Sequence, residues 1–170
     1  HYDRSCVRLA IARILKENGK AGRALQIALD CTERDSTCVG AHVLAAEIYR
    51  ERRLPEVARE HAEAALHQEP GNVGALLCLA RIALEKGRVS TAVLTLRKLT
   101  ELSQENALAW RWLARAYAAD GKMDRAEEAW QRASGLIPQS AELHEELGMC
   151  LLSQDKREEG RRHLERAVAL

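Results

Sequence analysis

The sequence predicts an all-α protein made of five tandem antiparallel helical hairpins, and three observations carry that prediction. A period of 34 residues runs through the chain without insertion or deletion, two columns of the period hold only Ala or Gly, and apolar residues recur beside them at helical spacing. Windows opening at Ser5, Val39, Val73, Ala107 and Ala141 set the register. The repeats then cover about 5–38, 39–72, 73–106, 107–140 and 141–170 of a single domain spanning 1–170.

The tiny columns come first in the argument. Position eight reads Ala12, Ala46, Ala80, Ala114, Gly148, and position twenty reads Ala24, Ala58, Ala92, Ala126, Gly160. Two antiparallel helices approach closely only where side chains are small, so these columns mark the contact inside each hairpin. Position seven (Ile11, Ala45, Leu79, Leu113, Leu147) and position eleven (Leu15, Tyr49, Ala83, Tyr117, Leu151) predict the core stripe of each first helix. Each second helix presents Ala28, Ala62, Leu96, Trp130 or Leu164 at position twenty-four and Cys31, Ala65, Leu99, Ala133 or Ala167 at twenty-seven, facing the next hairpin. Gly19, Gly87 and Gly121 at position fifteen predict a left-handed residue at the end of the first helix; Asp155 tolerates that geometry, and Arg53 is a departure. Pro70 and Pro138 stand just before a new helix, where a missing N–H costs little. Ten helices of about 12 to 14 residues with short turns follow.

The totals exclude several classes of partner. With 26 Lys and Arg against 25 Asp and Glu the formal net charge is +1, which supplies no long-range field to gather nucleic acid or an anionic membrane. No apolar run approaches the roughly 18 residues a membrane span requires. The chain begins at His1 rather than Met and ends inside a helical pattern at Leu170, so it reads as a fragment of a longer protein, with any targeting signal outside it. Most of the five cysteines, which include no C-x-x-C pair, read as small core residues, and as free thiols. They lean toward a reducing, cytoplasmic compartment, with a bacterial periplasm left open and a Cys31–Cys38 disulfide as the alternative.

Chemistry is sought and not found. There is no Gly-rich phosphate loop, and the run His144-Glu145-Glu146-Leu147-Gly148 carries Gly148 where a zinc-protease helix needs its second histidine. His61 and His67, six apart, fall on different faces of one helix and read as solvated or partly packed. The mixed-sign stretch from Asp155 to Arg166 reads as a solvated face. No catalytic residue, cofactor or metal is therefore predicted, and the expectation is a protein that is not an enzyme.

These columns resemble the tetratricopeptide repeat (TPR), whose pattern is W-x2-L-G-x2-Y followed by G, A, F, A and P. The fourth repeat matches best, with Trp110, Leu113, Ala114, Tyr117, Gly121, Ala126, Trp130, Ala133 and Pro138; Ala replaces the first small Gly, and Trp replaces Phe. The first and third repeats depart most, with Arg8 and Leu76 in the Trp column. The resemblance covers residues 5–170 and implies a right-handed α-solenoid, the TPR superhelix, with first helices lining a concave groove where partners lie. It implies a protein–protein interaction scaffold or adaptor, or else a recruitment domain of a larger enzyme or export assembly whose chemistry lies elsewhere. It also invites comparison with the carboxylate clamp of relatives that hold chaperone C-termini. Leu9, Arg13 and Leu44 stand in the clamp positions here, and Val43, Glu47 and Cys78 stand there one repeat along, so that role is disfavoured.

By 3.6-residue arithmetic the inner face of the first helices carries Arg13, then Val43 and Glu47, then Leu77 and Arg81, then Leu108, Arg111, Trp112 and Arg115. The fifth repeat turns acidic with Glu142, Glu145 and Glu146. These residues predict a partner peptide or protein face that is part apolar and part acidic, with Trp112 as its anchor. The competing expectation is that Trp112 wedges against a neighbouring repeat while the arginines pair with Glu85 or Glu47. Self-association is also expected, because Leu164, Ala167, Val168 and Leu170 would face outward from the last helix.

Overall fold

A computed structural model describes residues 4–170, and among them the chain forms ten α-helices and no strand. In order they are α1 (Arg4–Glu17), α2 (Ala21–Arg34), α3 (Val39–Glu51), α4 (Pro55–Gln68), α5 (Val73–Glu85), α6 (Val89–Leu102), α7 (Ala107–Ala119), α8 (Met123–Leu136), α9 (Ala141–Ser153) and α10 (Arg157–Ala169). Each has 13 or 14 residues. The helices fall into two compact units, His1–Ile82 and Ala83–Leu170, with α5 divided between them. In the first unit α1 pairs with α2 and α3 with α4, and α2 lies on α3. In the second, α7 pairs with α8 and α9 with α10, while α6 lies on α7 and α8 on α9.

The turn inside each hairpin is fixed by the period more firmly than by the residue. The φ angles at Gly19, Gly87 and Gly121 are 74°, 70° and 74°, and those at Arg53 and Asp155 are 62° and 61°. Arg53, the departure in the sequence, thus keeps the left-handed geometry its glycine counterparts adopt without steric cost. Later first helices begin with side-chain caps: Asn72 and Asn106 accept from the amides of Ala75 and Ala109 at 3.0 Å, and Ser140 accepts from Leu143.

Every residue of the two tiny columns is buried. Hairpin five is the tightest: a Cβ on Gly160 would come 2.9 Å from the Gly148 carbonyl oxygen, and one on Gly148 would meet Leu164 at 2.8 Å. In the first unit a core of Ala24, Leu25, Ala28, Leu44 and Ile48 joins the first two hairpins, and a second of Ala58, Ala62, Ala65, Ala75 and Ile82 continues the pattern. Ile11 is a correction to the predicted core stripe. It is 48% exposed, on one face of α1 with the exposed Val7 and Ile14. The same positions in α3, Ala41, Ala45 and Ile48, are fully buried. Helix α2 covers that face of α3, whereas no described helix precedes α1 to cover its own. Cys31 and Cys38 are both free thiols, not a disulfide, with Cys31 buried in α2.

Candidate functional site

Of the predicted inner-face residues, Arg13, Val43 and Glu47 line a cavity in the first unit, and Arg111 and Arg115 line one in the second. In the first unit Arg13, Lys16, Glu17, Val43, Glu47 and Glu51 line a cavity of about 640 Å³. Arg13 is exposed, while Lys16 forms ion pairs with Glu47 at 2.6 Å and with Glu51 at 3.2 Å. Val43, expected to be open to the groove, is a correction: it is only 7% exposed and forms the floor. Its place follows from Gly74, where an added Cβ would come 2.7 Å from Val43 Cγ1, so a missing side chain on α5 lets Val43 settle onto that helix. Gly40 stands at the same position of α3, with Leu9 above it at 3.2 Å from the built Cβ. Leu44 and Arg50, on the same helix, are buried. Leu77 and Arg81, both half-buried on α5, line neither described cavity.

The second unit holds a cavity of about 550 Å³ bordered by Arg111, Arg115, Met123, Glu142, Glu145 and Met149. Glu146 also lines it. Arg111 donates to both oxygens of Glu146, with Nη2 to Oε1 at 2.6 Å, and to Glu142 at 2.5 Å; Arg115 also donates to Glu146, and Trp130 donates its indole N–H to it at 2.8 Å. Burial acts to raise the Glu146 pKa, but hydrogen bonds from Arg111, Arg115 and Trp130 outweigh it and hold the carboxyl below its ordinary range. Those bonds and charges hold the Arg111 pKa above its usual value, its donation to Glu146 being the largest cause. Leu108 is exposed, whereas Trp112 is half-buried with the Arg115 guanidinium 4.8 Å above its ring, not an open anchor.

The arginines of α7 therefore pair within the fold, with Glu146 and Glu142. What helical spacing missed was the reach from one hairpin to the next. Trp130 was legible as a core residue and is buried, but its polar edge points to a carboxylate sixteen residues on, which no single-helix pattern displays. Glu145 is exposed, borders the cavity and enters no ion pair among the described residues. Around the first-unit cavity four carboxylates face two cations, and around the second three face two. Among the described residues no group of three or more His, Cys, Asp or Glu is placed to hold a metal, and no helix is long and apolar enough to cross a membrane.

Paired helices separated by tiny residues, repeated at constant period and presenting mixed apolar and charged cavities along their first members, define a helical-repeat protein of the interaction class. The tetratricopeptide-repeat family model matches residues 43–104 and 77–141, together more than half of the chain, and the chain belongs to that family. Its fold is the all-α TPR solenoid. The structure is similar to that of pilF from Pseudomonas aeruginosa, with a TM-score of 0.88 and 17% identity over 97% of this chain and 75% of that one. It is similar to TTC0263, a thermophilic TPR protein in Thermus thermophilus, with a TM-score of 0.84 and 18% identity over 97% and 90%. YrrB, a TPR protein with an unusual peptide-binding site, matches with a TM-score of 0.69 and 20% identity over 95% and 84%. At such identities the likeness establishes the fold. No curated protein matches the chain by sequence. Proteins of this fold are generally interaction scaffolds that bind peptides or proteins, and are typically not catalytic.

Proposed function

We propose that the chain is a non-enzymatic scaffold or adaptor that holds a partner peptide or protein face against the first-helix cavities, and that the partner segment is apolar with basic side chains. The observation that carries the second half is the excess of carboxylates around both cavities together with the internal neutralisation of Arg111 and Arg115 by Glu146 and Glu142, which leaves Arg13 as the exposed cation beside the first. Glu145 and Glu17 remain exposed beside the cavities without an ion pair among the described residues, next to the exposed side chain of Met149. A lysine or arginine of the partner would meet these carboxylates while its apolar residues cover methionine and valine.

Fluorescence polarisation with two amphipathic probe peptides, one of Leu and Lys and one of Leu and Glu, tests the reading. The Leu/Lys peptide is expected to bind with a Kd of roughly micromolar order, about 8 kcal/mol, and to weaken by about tenfold with Glu145→Lys. Preference for the Leu/Glu peptide, or binding indifferent to Glu145→Lys and Glu17→Lys alike, would reverse it. The recruitment-domain alternative makes the same prediction for these cavities and places the chemistry outside this chain.

A further inference from the structure

Positions four and twenty-three of the repeat are both histidine in the second and fifth hairpins and in neither case elsewhere: His42 with His61, and His144 with His163. Each pair meets with Nδ1 to Nδ1 at 3.0 Å. The other nitrogen of the first-helix ring, Nε2, lies 3.0 Å from a backbone carbonyl six residues upstream, that of Ser36 for His42 and of Pro138 for His144. In the fourth hairpin the same position is Trp110, whose indole N–H donates to the carbonyl of Gln104, again six residues upstream, at 2.8 Å.

That recurrence fixes where the protons are. A carbonyl oxygen only accepts, so His42 and His144 carry their proton on Nε2 and take the part of the indole. Their Nδ1 is then a lone pair, and a contact at 3.0 Å requires His61 and His163 to donate from Nδ1–H. The Nε2 of each second-helix ring is left as the one basic nitrogen of the pair without a partner among the described residues.

We propose that each histidine pair is a one-proton clip joining the two helices of its hairpin to the preceding loop. One proton enters at the second-helix Nε2 and leaves both hydrogen bonds intact; a second would set N–H against N–H and open the clip. The clips adjoin the candidate grooves along the first helices. Val43 and Leu44 follow His42 into the first cavity, and Glu145 and Glu146 follow His144 into the second, so the second proton, by opening a clip, loosens the wall beside it. The groups facing the first pair are Tyr49, stacked on His61 with centroids 5.5 Å apart, Glu60 on α4 and Asp35 in the loop. The second pair faces Glu159 and Arg166 on α10, and Arg166 shares the Pro138 carbonyl at 3.3 Å. Burial first, and the partner ring second, hold His61 and His163 below the ordinary imidazole range. Because burial disfavours the charged ring, protonation at the second-helix Nε2 lowers stability even though both hydrogen bonds persist: the contribution is fully present above the unfolded value of about 6.5 and is lost as pH falls through the lower folded values, where the unfolded chain binds more protons.

Long-range 1H–15N correlation on the 15N-histidine-labelled chain is the direct test, with exposed His67 as internal reference. His61 and His163 are expected as Nδ1–H tautomers and His42 and His144 as Nε2–H, with His61 and His163 titrating below His67. Nε2–H tautomers at His61 and His163, or titration together with His67, overturn the proposal. Thermal midpoints give a second readout. The double variant His61→Asn and His163→Asn keeps a donor near each Nδ1 site but cannot titrate, and should at least halve the fall in midpoint between about pH 7.5 and about pH 5. A fall as large as in the parent chain also overturns it, and the tautomer measurement decides alone should the variant not fold.

Discussion

Arg53 holds a backbone conformation that costs an L side chain about 1 to 2 kcal/mol, because the 34-residue period imposes it where three other hairpins use glycine. Arg53→Gly should therefore raise stability by up to about 1 kcal/mol, the extra freedom of glycine in the unfolded chain offsetting part of the relief; urea denaturation measures it. Glu146 makes the opposite case. It is the acceptor for Arg111, Arg115 and Trp130 and is only 17% exposed, so Glu146→Ala would strand three donors and cost about 2 kcal/mol in the same assay. Because its folded pKa is depressed, its contribution is present above the unfolded carboxylate value of about 4.3 and disappears as pH falls through the folded one. Residue by residue, the candidate site was legible only in part. Helical spacing found Arg111, Arg115 and Glu146 on one face, but it could not show that they satisfy one another, since their pairing depends on the offset between α7 and α9.

At the scale of helices, the small columns did the most. Every Ala and Gly read from positions eight and twenty is buried, and Gly19, Gly87 and Gly121 take the left-handed geometry read at position fifteen. The cause is local: the closest approach of two rods requires a missing side chain at a fixed height, and such a requirement leaves a mark in every repeat. Gly160→Ala should lower stability by about 1 to 3 kcal/mol, because its Cβ would meet the Gly148 carbonyl oxygen at 2.9 Å, a backbone atom that cannot turn aside; thermal denaturation measures the drop. The glycines at position two carried an equally physical message that spacing alone did not disclose. Gly40 and Gly74 draw adjacent first helices together, and that is why Val43 is floor and not rim. The histidine pairs were missed for a related reason. Their signal is the joint recurrence of two positions in the same two repeats, visible only when columns are compared with each other.

For the chain as a whole, its exposed apolar side chains bear on association. Val168 is 90% exposed, Leu170 and Met149 are exposed, and the face of Val7, Ile11 and Ile14 lies open on α1. Concentration-dependent self-association is expected from them, read as a rise in mass over a roughly hundredfold range of concentration in analytical ultracentrifugation and reduced by Val168→Glu or Ile14→Glu. A constant monomer mass across that range would refute it. The repeated turn has a mechanical consequence as well. Hairpins two and five alone close on an arginine or an aspartate held at positive φ, and they are also the two whose rods are tied by imidazoles. Under load those two hairpins should therefore carry the acid-sensitive part of the resistance, so a chain pulled from its ends should yield at lower force in mild acid.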